Sequence, residues 1–120
     1  MGDFFNKTAK SFVFAAEGIH FAFKTQINFK IQLTAALLAI ILGLAFNLNR
    51  FEWIVLTLTI CIVIFAELIN TVVEELVNLS TADFHPKAKI AKDLSAGAVL
   101  VVSISAAIIG LLLFAPHIFP

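Results

Sequence analysis

The stretch AELINTVVEE, Ala66 to Glu75, sets carboxylates and an amide into an otherwise apolar run. Glu67, Asn70 and Glu74 are spaced i, i+3, i+7, so at about 100° per residue they fall on one face of a helix. Thr71 and Asn78 lie close to the same stripe. The surrounding apolar run, Trp53 to Leu79, exceeds the roughly 20 residues needed to cross a bilayer. A charge in hydrocarbon costs several kcal/mol, so acids inside such a segment face protein, a cavity or a substrate and mark function by default. This stretch predicts a membrane-spanning helix that carries a candidate active site.

Composition agrees. The chain has 120 residues, enough for one domain, and 61% of them are apolar. Its mean hydropathy is +1.03, too apolar for a soluble domain with a covered core. The net charge is zero, so no basic excess points to a nucleic-acid partner. The single cysteine, Cys61, sits inside an apolar run and excludes a disulfide framework or a cysteine metal site. The opening MGDFFNKTAK lacks a long apolar core before a small-residue cleavage site, so no signal peptide is expected.

Three apolar runs are expected to span the membrane, at residues 31–48, 53–79 and 94–119. Asn47-Leu48-Asn49 and Pro86 mark breaks, and Pro116 is expected to stop the last helix. Ser95, Ala96, Gly97 and Ala98, then Ser103, Ser105, Ala106 and Ala107, give the third span small residues suited to close helix packing. Residues 1–28 differ. Asp3, Lys10, Glu17 and Lys24 recur every seven residues, opposite an apolar face of Phe5, Phe12, Ala16, Ile19 and Phe23. That pattern predicts an amphipathic helix lying in the membrane interface. The fold class is therefore all-α: an N-terminal surface helix followed by three transmembrane helices, with Trp53 in the aromatic belt.

Positive charge sets the orientation. Lys7, Lys10, Lys24 and Lys30 precede the first span, and Lys87, Lys89 and Lys92 lie between the second and third. Only Arg50 occupies the loop between the first two. The N-terminus and the 80–93 loop are expected to be cytoplasmic, on the side that holds ATP. His20, His85 and His117 lack metal-ligand spacing and read as loop or interface residues.

The Glu67–Glu74 stripe runs toward the loop STADFHPKAKIAKDLSAGAVL, in which Lys92-Asp93 opens the third span. Asp93 there is also a candidate helix cap. Carboxylates can hold Mg²⁺ through oxygen, lysines neutralise phosphate, and a buried carboxylate can take a proton from a hydroxyl. These are the parts that phosphoryl transfer needs, since its catalysis is mostly positioning and charge stabilisation. No Walker motif or glycine-rich kinase loop is present.

The run ELINTVVEE followed by DFHPKAKIAKDLSAGAVL resembles the signature of the prokaryotic diacylglycerol kinase and undecaprenol kinase family, and AAEGIHFAFKTQINFKIQ resembles its N-terminal block. The likeness covers nearly the whole chain. It implies a small membrane lipid kinase of the bacterial inner membrane, working as a homotrimer with sites shared between subunits. The substrates it implies are ATP, with Mg²⁺ as the cofactor, and a membrane lipid acceptor, diacylglycerol or undecaprenol; the His-Pro in the 80–93 loop looks closer to the undecaprenol branch. Glu67 matches the general base and Asn70 the amide beside it. Glu74 matches a ligand of the metal. Lys92 and Asp93 match the pair that meets the nucleotide phosphates, and Lys7 and Lys10 fall where basic residues lie near the nucleotide.

Some positions depart from the family pattern. A second metal-binding carboxylate usually stands in a motif such as E-x-N-F, where this chain reads Gln26-Ile27-Asn28-Phe29. A glutamine carbonyl can ligate Mg²⁺ but lacks a carboxylate's charge. Gln32 replaces a His or Glu, and Asn78 an Asp. These changes leave open a weakened or inactive paralogue. A small multidrug transporter, which also uses an intramembrane Glu, is a further alternative that four spans would support.

Overall fold

The computed structural model describes residues 1–80 and 82–120; Thr81, in the expected cytoplasmic loop, lies outside them. Its elements are helical throughout: α1 (Gly2–Thr25), α2 (Ile27–Ala45), α3 (Arg50–Ser80) and α4 (Pro86–Ile118). The last three are long and apolar enough to cross a membrane. The chain is a multi-pass membrane protein with an N-terminal helix ahead of its three candidate spans.

Each boundary has a local cause, and several differ from the sequence reading. The surface helix stops at Thr25 rather than 28, because Gln26 alone takes an extended conformation, φ −110° and ψ 110°. Ile27 then opens α2 four residues before the expected start. At its far end Asn47 adopts a left-handed φ of 52°, which Asn tolerates better than most residues. Leu48 N–H donates to the Gly43 carbonyl at 3.2 Å and Asn47 N–H to Leu44 at 3.4 Å, a Schellman closure. Asn49 then begins α3 with a capping box: its Oδ1 accepts from Glu52 N–H at 2.9 Å, and Glu52 Oε2 accepts from Asn49 N–H at 3.0 Å.

The start of α4 corrects the sequence reading most. The helix begins at Pro86, one residue after His85, so Lys87, Lys89, Lys92 and Asp93 stand on its first turns rather than in a loop. His85 is the N-cap; its Nδ1 accepts from Lys87 N–H at 3.1 Å. Proline fits the next position because an N–H there has no intrahelical partner. Asp93 therefore caps nothing. Pro116 does not stop α4 either: the helix continues to Ile118, and Phe119 N–H still reaches the Ala115 carbonyl at 2.8 Å. In a last turn the missing proline N–H removes a single hydrogen bond.

At about 1.5 Å per residue, the 31 residues of α3 and 33 of α4 run to roughly 46 and 50 Å. A hydrocarbon core is about 30 Å thick, so both helices project well beyond it. They form the principal packed pair, with α2 laid against α3 and α1 touching α2 and α3. The outcome is a slab, 54 × 48 × 21 Å. The end that holds the α2–α3 turn is tied by His117 Nε2, which sits 3.1 and 3.2 Å from the Glu52 carboxylate oxygens, with Phe46 stacked on the imidazole. Few apolar side chains are buried within the protomer: Ala22, Phe29, Leu48, Leu56 and Val63. Large ones such as Ile54, Phe65, Leu111 and Leu112 face outward, as lipid or another subunit requires.

Trp53 does more than anchor an interface. Its ring lies so close to Gly43 that a Cβ there would meet ring carbon Cη2 at 2.8 Å and Leu48 Cδ1 at 3.0 Å. Glycine is what lets α2 close on α3 at this point. Gly43→Ala is expected to destabilise the protein by about 1–3 kcal/mol through overpacking. Gly2→Ala, with open space around it, should leave the thermal midpoint in micelles unchanged.

Candidate active site

The stripe on α3 is buried. Glu67 is 1% exposed, Thr71 5% and Asn70 6%, and no other polar residue among those described is buried as deeply. Glu67 stands out chemically. Both of its carboxylate oxygens are buried without a hydrogen-bond partner. Thr71, one turn on, does not serve it, because its hydroxyl donates to the Glu67 backbone carbonyl at 3.0 Å. A carboxylate sealed from water without a donor is costly, and a hydroxyl brought to it would relieve that cost.

One turn toward the loop the polarity becomes connected. Asn70 Nδ2 donates to Glu74 Oε1 at 3.3 Å, while Ser95 Oγ on α4 donates to Asn70 Oδ1 at 2.7 Å. Lys92 Nζ donates to Asn78 Oδ1 at 2.8 Å. Two hydrogen bonds thus join α3 to α4 in the segment that carries the candidate site. Because Asn78 is a neutral amide, it holds the Lys92 ammonium without neutralising it, which leaves the charge available to an anion. Asp93 points elsewhere and pairs with Lys89 at 2.5 Å, both side chains 62% exposed. Such an exposed pair contributes little to stability and is easily exchanged for another partner.

The remaining sequence candidates lie outside this cluster. Gln26 occupies the break between α1 and α2, half-buried, and its side chain makes no capping hydrogen bond. Lys7 and Lys10 are exposed on α1. Among the described residues no hydrogen bond or ion pair links these three side chains to the α3–α4 cluster, and no group of three His, Cys, Asp or Glu side chains gathers as a metal cage. Glu74, half-buried and bonded to one amide, still suits Mg²⁺: that ion takes one or two carboxylates and completes its shell with phosphate oxygens and water. Gln32, at the other departure, donates to Ser103 Oγ at 3.1 Å and joins α2 to α4.

The sequence reading missed two contacts. Ser95 reads in the sequence only as a small packing residue, although it lies one turn beyond Lys92. Asn78 was noted as a departure, but nothing in the sequence shows that it holds Lys92.

A buried acid beside an amide, a second acid and a cation, on two helices long enough to outreach a bilayer, is the candidate site of an integral membrane protein. The model of the prokaryotic diacylglycerol kinase family matches residues 13–114, and the chain belongs to that family. It is 42% identical over 113 residues to the undecaprenol kinase of Bacillus subtilis, covering 94% of this chain and 92% of that one. It is 41% identical over 107 residues to a diacylglycerol kinase of Synechocystis, covering 88% of this chain and 61% of the longer relative. A Helicobacter pylori diacylglycerol kinase is 30% identical over 97 residues, covering 81% of this chain and 76% of that one.

Removing the orphaned carboxylate tests its burial directly. Glu67→Leu eliminates two unpartnered buried oxygens and is expected to raise stability by about 1–3 kcal/mol. Thermal unfolding in micelles would read this as a higher midpoint. A lower midpoint would mean that Glu67 has a partner in the folded protein.

Proposed function

We propose that this lipid kinase transfers the terminal phosphate of ATP to the hydroxyl of a membrane lipid at the cytoplasmic face. The observation that carries this reading is the buried, unpartnered carboxylate of Glu67, one turn from the connected cluster of Asn70, Glu74, Ser95 and Lys92. About 20 residues from Trp53 bring α3 across the hydrocarbon core to the level of Thr71–Val73. Glu67 then lies just inside the apolar layer, at the depth of a lipid's polar end, while Glu74, Asn78 and Lys92 lie at or beyond its edge, where ATP arrives from water.

In this arrangement the lipid enters sideways and places its hydroxyl against Glu67. The carboxylate accepts the hydroxyl proton as the lipid oxygen forms a bond to the γ-phosphorus. The bond from that phosphorus to the β–γ bridging oxygen breaks, and ADP leaves with the electron pair. Lys92, held by a neutral amide, stabilises phosphate charge. Asp93, freed from Lys89, orients neighbouring donors, and Lys7 and Lys10 add positive charge from α1. Mg²⁺, when bound, neutralises the phosphate oxygens, and Glu74 is the residue that would hold it. Gln26 of a neighbouring subunit would be a second, uncharged oxygen ligand.

Undecaprenol is the acceptor favoured here, supported by the 42% identity to a relative of that name and by His85-Pro86. A homotrimer in the bacterial inner membrane follows from the same reading. One subunit's α1–α2 junction would complete the site on the α3 of another, with the N-terminus and the α3–α4 loop facing the cytoplasm.

Phosphate transfer from labelled ATP to undecaprenol and to diacylglycerol, in lipid micelles with excess Mg²⁺, tests the proposal. Phosphorylated lipid is expected, formed faster from undecaprenol, and Glu67→Gln should lower the rate by about 10²–10⁴-fold, the usual contribution of a general base. Absence of product with both lipids from folded protein would leave a paralogue that has lost activity. Gln26→Glu restores a charge and is expected to lower the Mg²⁺ concentration that gives half-maximal rate, as measured by Mg²⁺ titration at fixed ATP. An unchanged Mg²⁺ requirement would remove Gln26 from the metal site.

A further inference from the structure

Ser95 lies half-buried on α4, facing the α3 stripe. Its Oγ is 2.7 Å from Asn70 Oδ1 and 3.0 Å from the backbone carbonyl of Lys92. A hydroxyl has one proton to donate, so at any moment only one of these two oxygens receives it. The choice has consequences for Asn70. When the proton goes to Asn70, the amide oxygen is held toward α4 and the amide nitrogen is turned to Glu74, as observed at 3.3 Å. When it goes to Lys92, Ser95 Oγ becomes an acceptor, and the amide is free to rotate so that its nitrogen faces Ser95 and its oxygen faces Glu74.

The second orientation sets a carbonyl against a carboxylate, which repel. A Glu74 without a cation therefore favours the first orientation, and Ser95 reinforces it. Small size alone does not account for Ser95: alanine would pack as well on α4, yet it would leave Asn70 Oδ1 without its donor. The amide would then have a single hydrogen bond, at the longer distance of 3.3 Å, to define its angle.

We propose that Ser95 is a positioning residue for the phosphoryl transfer: it sets the orientation of the Asn70 amide and, through that amide, how Glu74 presents its carboxylate. This rests on Asn70 and Glu74 belonging to the active site as argued above. Its effect falls on the turnover rate and on the Mg²⁺ requirement, because those depend on Glu74, and not on lipid recognition, which depends on the Glu67 depth.

The test compares Ser95→Ala with Ser95→Thr, which keeps the hydroxyl, in the full-length protein in lipid micelles. Ser95→Ala is expected to lower kcat about five- to tenfold, the weight of one neutral hydrogen bond. It should raise the half-saturating Mg²⁺ concentration by a comparable factor and leave the lipid KM unchanged. Ser95→Thr should restore most of both losses. With asparagine labelled by ¹⁵N, the Asn70 side-chain amide signal, assigned by its disappearance in Asn70→Asp, should shift in Ser95→Ala and return in Ser95→Thr.

Wild-type kcat and Mg²⁺ requirement in Ser95→Ala would overturn the proposal. So would equal losses in both variants with a lowered midpoint, since that pattern belongs to packing alone. Glu67→Gln, run beside them, separates the two readings. If it stays active, the site itself is misplaced; if it is inactive while Ser95→Ala is normal, only the role of Ser95 falls.

Discussion

The fold turns on the need to cover a polar stripe on a helix that otherwise belongs in lipid. Glu67, Asn70 and Thr71 are the deepest polar side chains in the protomer, and all three are on α3. Lipid cannot cover them without the cost of burying unsatisfied polar groups in hydrocarbon. α4 covers part of the stripe through Ser95 and Lys92. This explains why α3 and α4 form the principal packed pair, and why both continue past the bilayer edge. Extension lets one face of the pair be dry at Glu67 and wet at Asn78 within three helical turns.

That gradient is also what the chemistry asks for. A hydroxyl on a lipid and a nucleotide in water arrive from different solvents, and they must meet within bonding distance. On the proposed roles, a proton acceptor on the dry stretch of α3 and a phosphate-facing cation at the wet end of α4 would solve the problem with few residues. The hydrogen bonds are divided in the same way. Toward the loop every member of the cluster has a partner, which fixes geometry; the Glu67 carboxylate has none, which on the proposed function would leave it for the substrate.

Much of this was legible in the sequence because periodicity and hydropathy record solvent exposure residue by residue. The apolar runs and the i, i+3, i+7 stripe gave the three long helices and the identity of the buried acid. What was not legible depends on pairs of residues from different elements, or on caps that override composition. The start of α4 at Pro86 is an instance. Lysines at 87, 89 and 92 read as loop, yet a capping histidine and a proline at the first helical position suffice to begin a helix there, and Lys89 and Asp93 support it at i, i+4. Gln26 is another, since this single extended residue ends α1 where the sequence pattern carries the surface helix on to residue 28. The contacts of Ser95 and Asn78 lacked any signal, because each is made to a side chain on the other helix.

The exposed faces of the protomer extend the same logic to assembly. Among the described residues Glu74 accepts a side-chain hydrogen bond from the Asn70 amide, and no group of three acidic, histidine or cysteine side chains gathers as a metal cage. Magnesium bound with ATP takes at least one carboxylate and gains from a second oxygen ligand of the protein. At the polar break near the expected cytoplasmic surface, Gln26 is a single extended residue between α1 and α2. A subunit arrangement that sets this break against the Glu74 of a neighbour would supply the missing ligand and cover apolar surface on α2 and α4 together. On the proposed function oligomerisation would complete the active site, and the neutral side chain at position 26 would weaken metal binding without disturbing the packing that builds it.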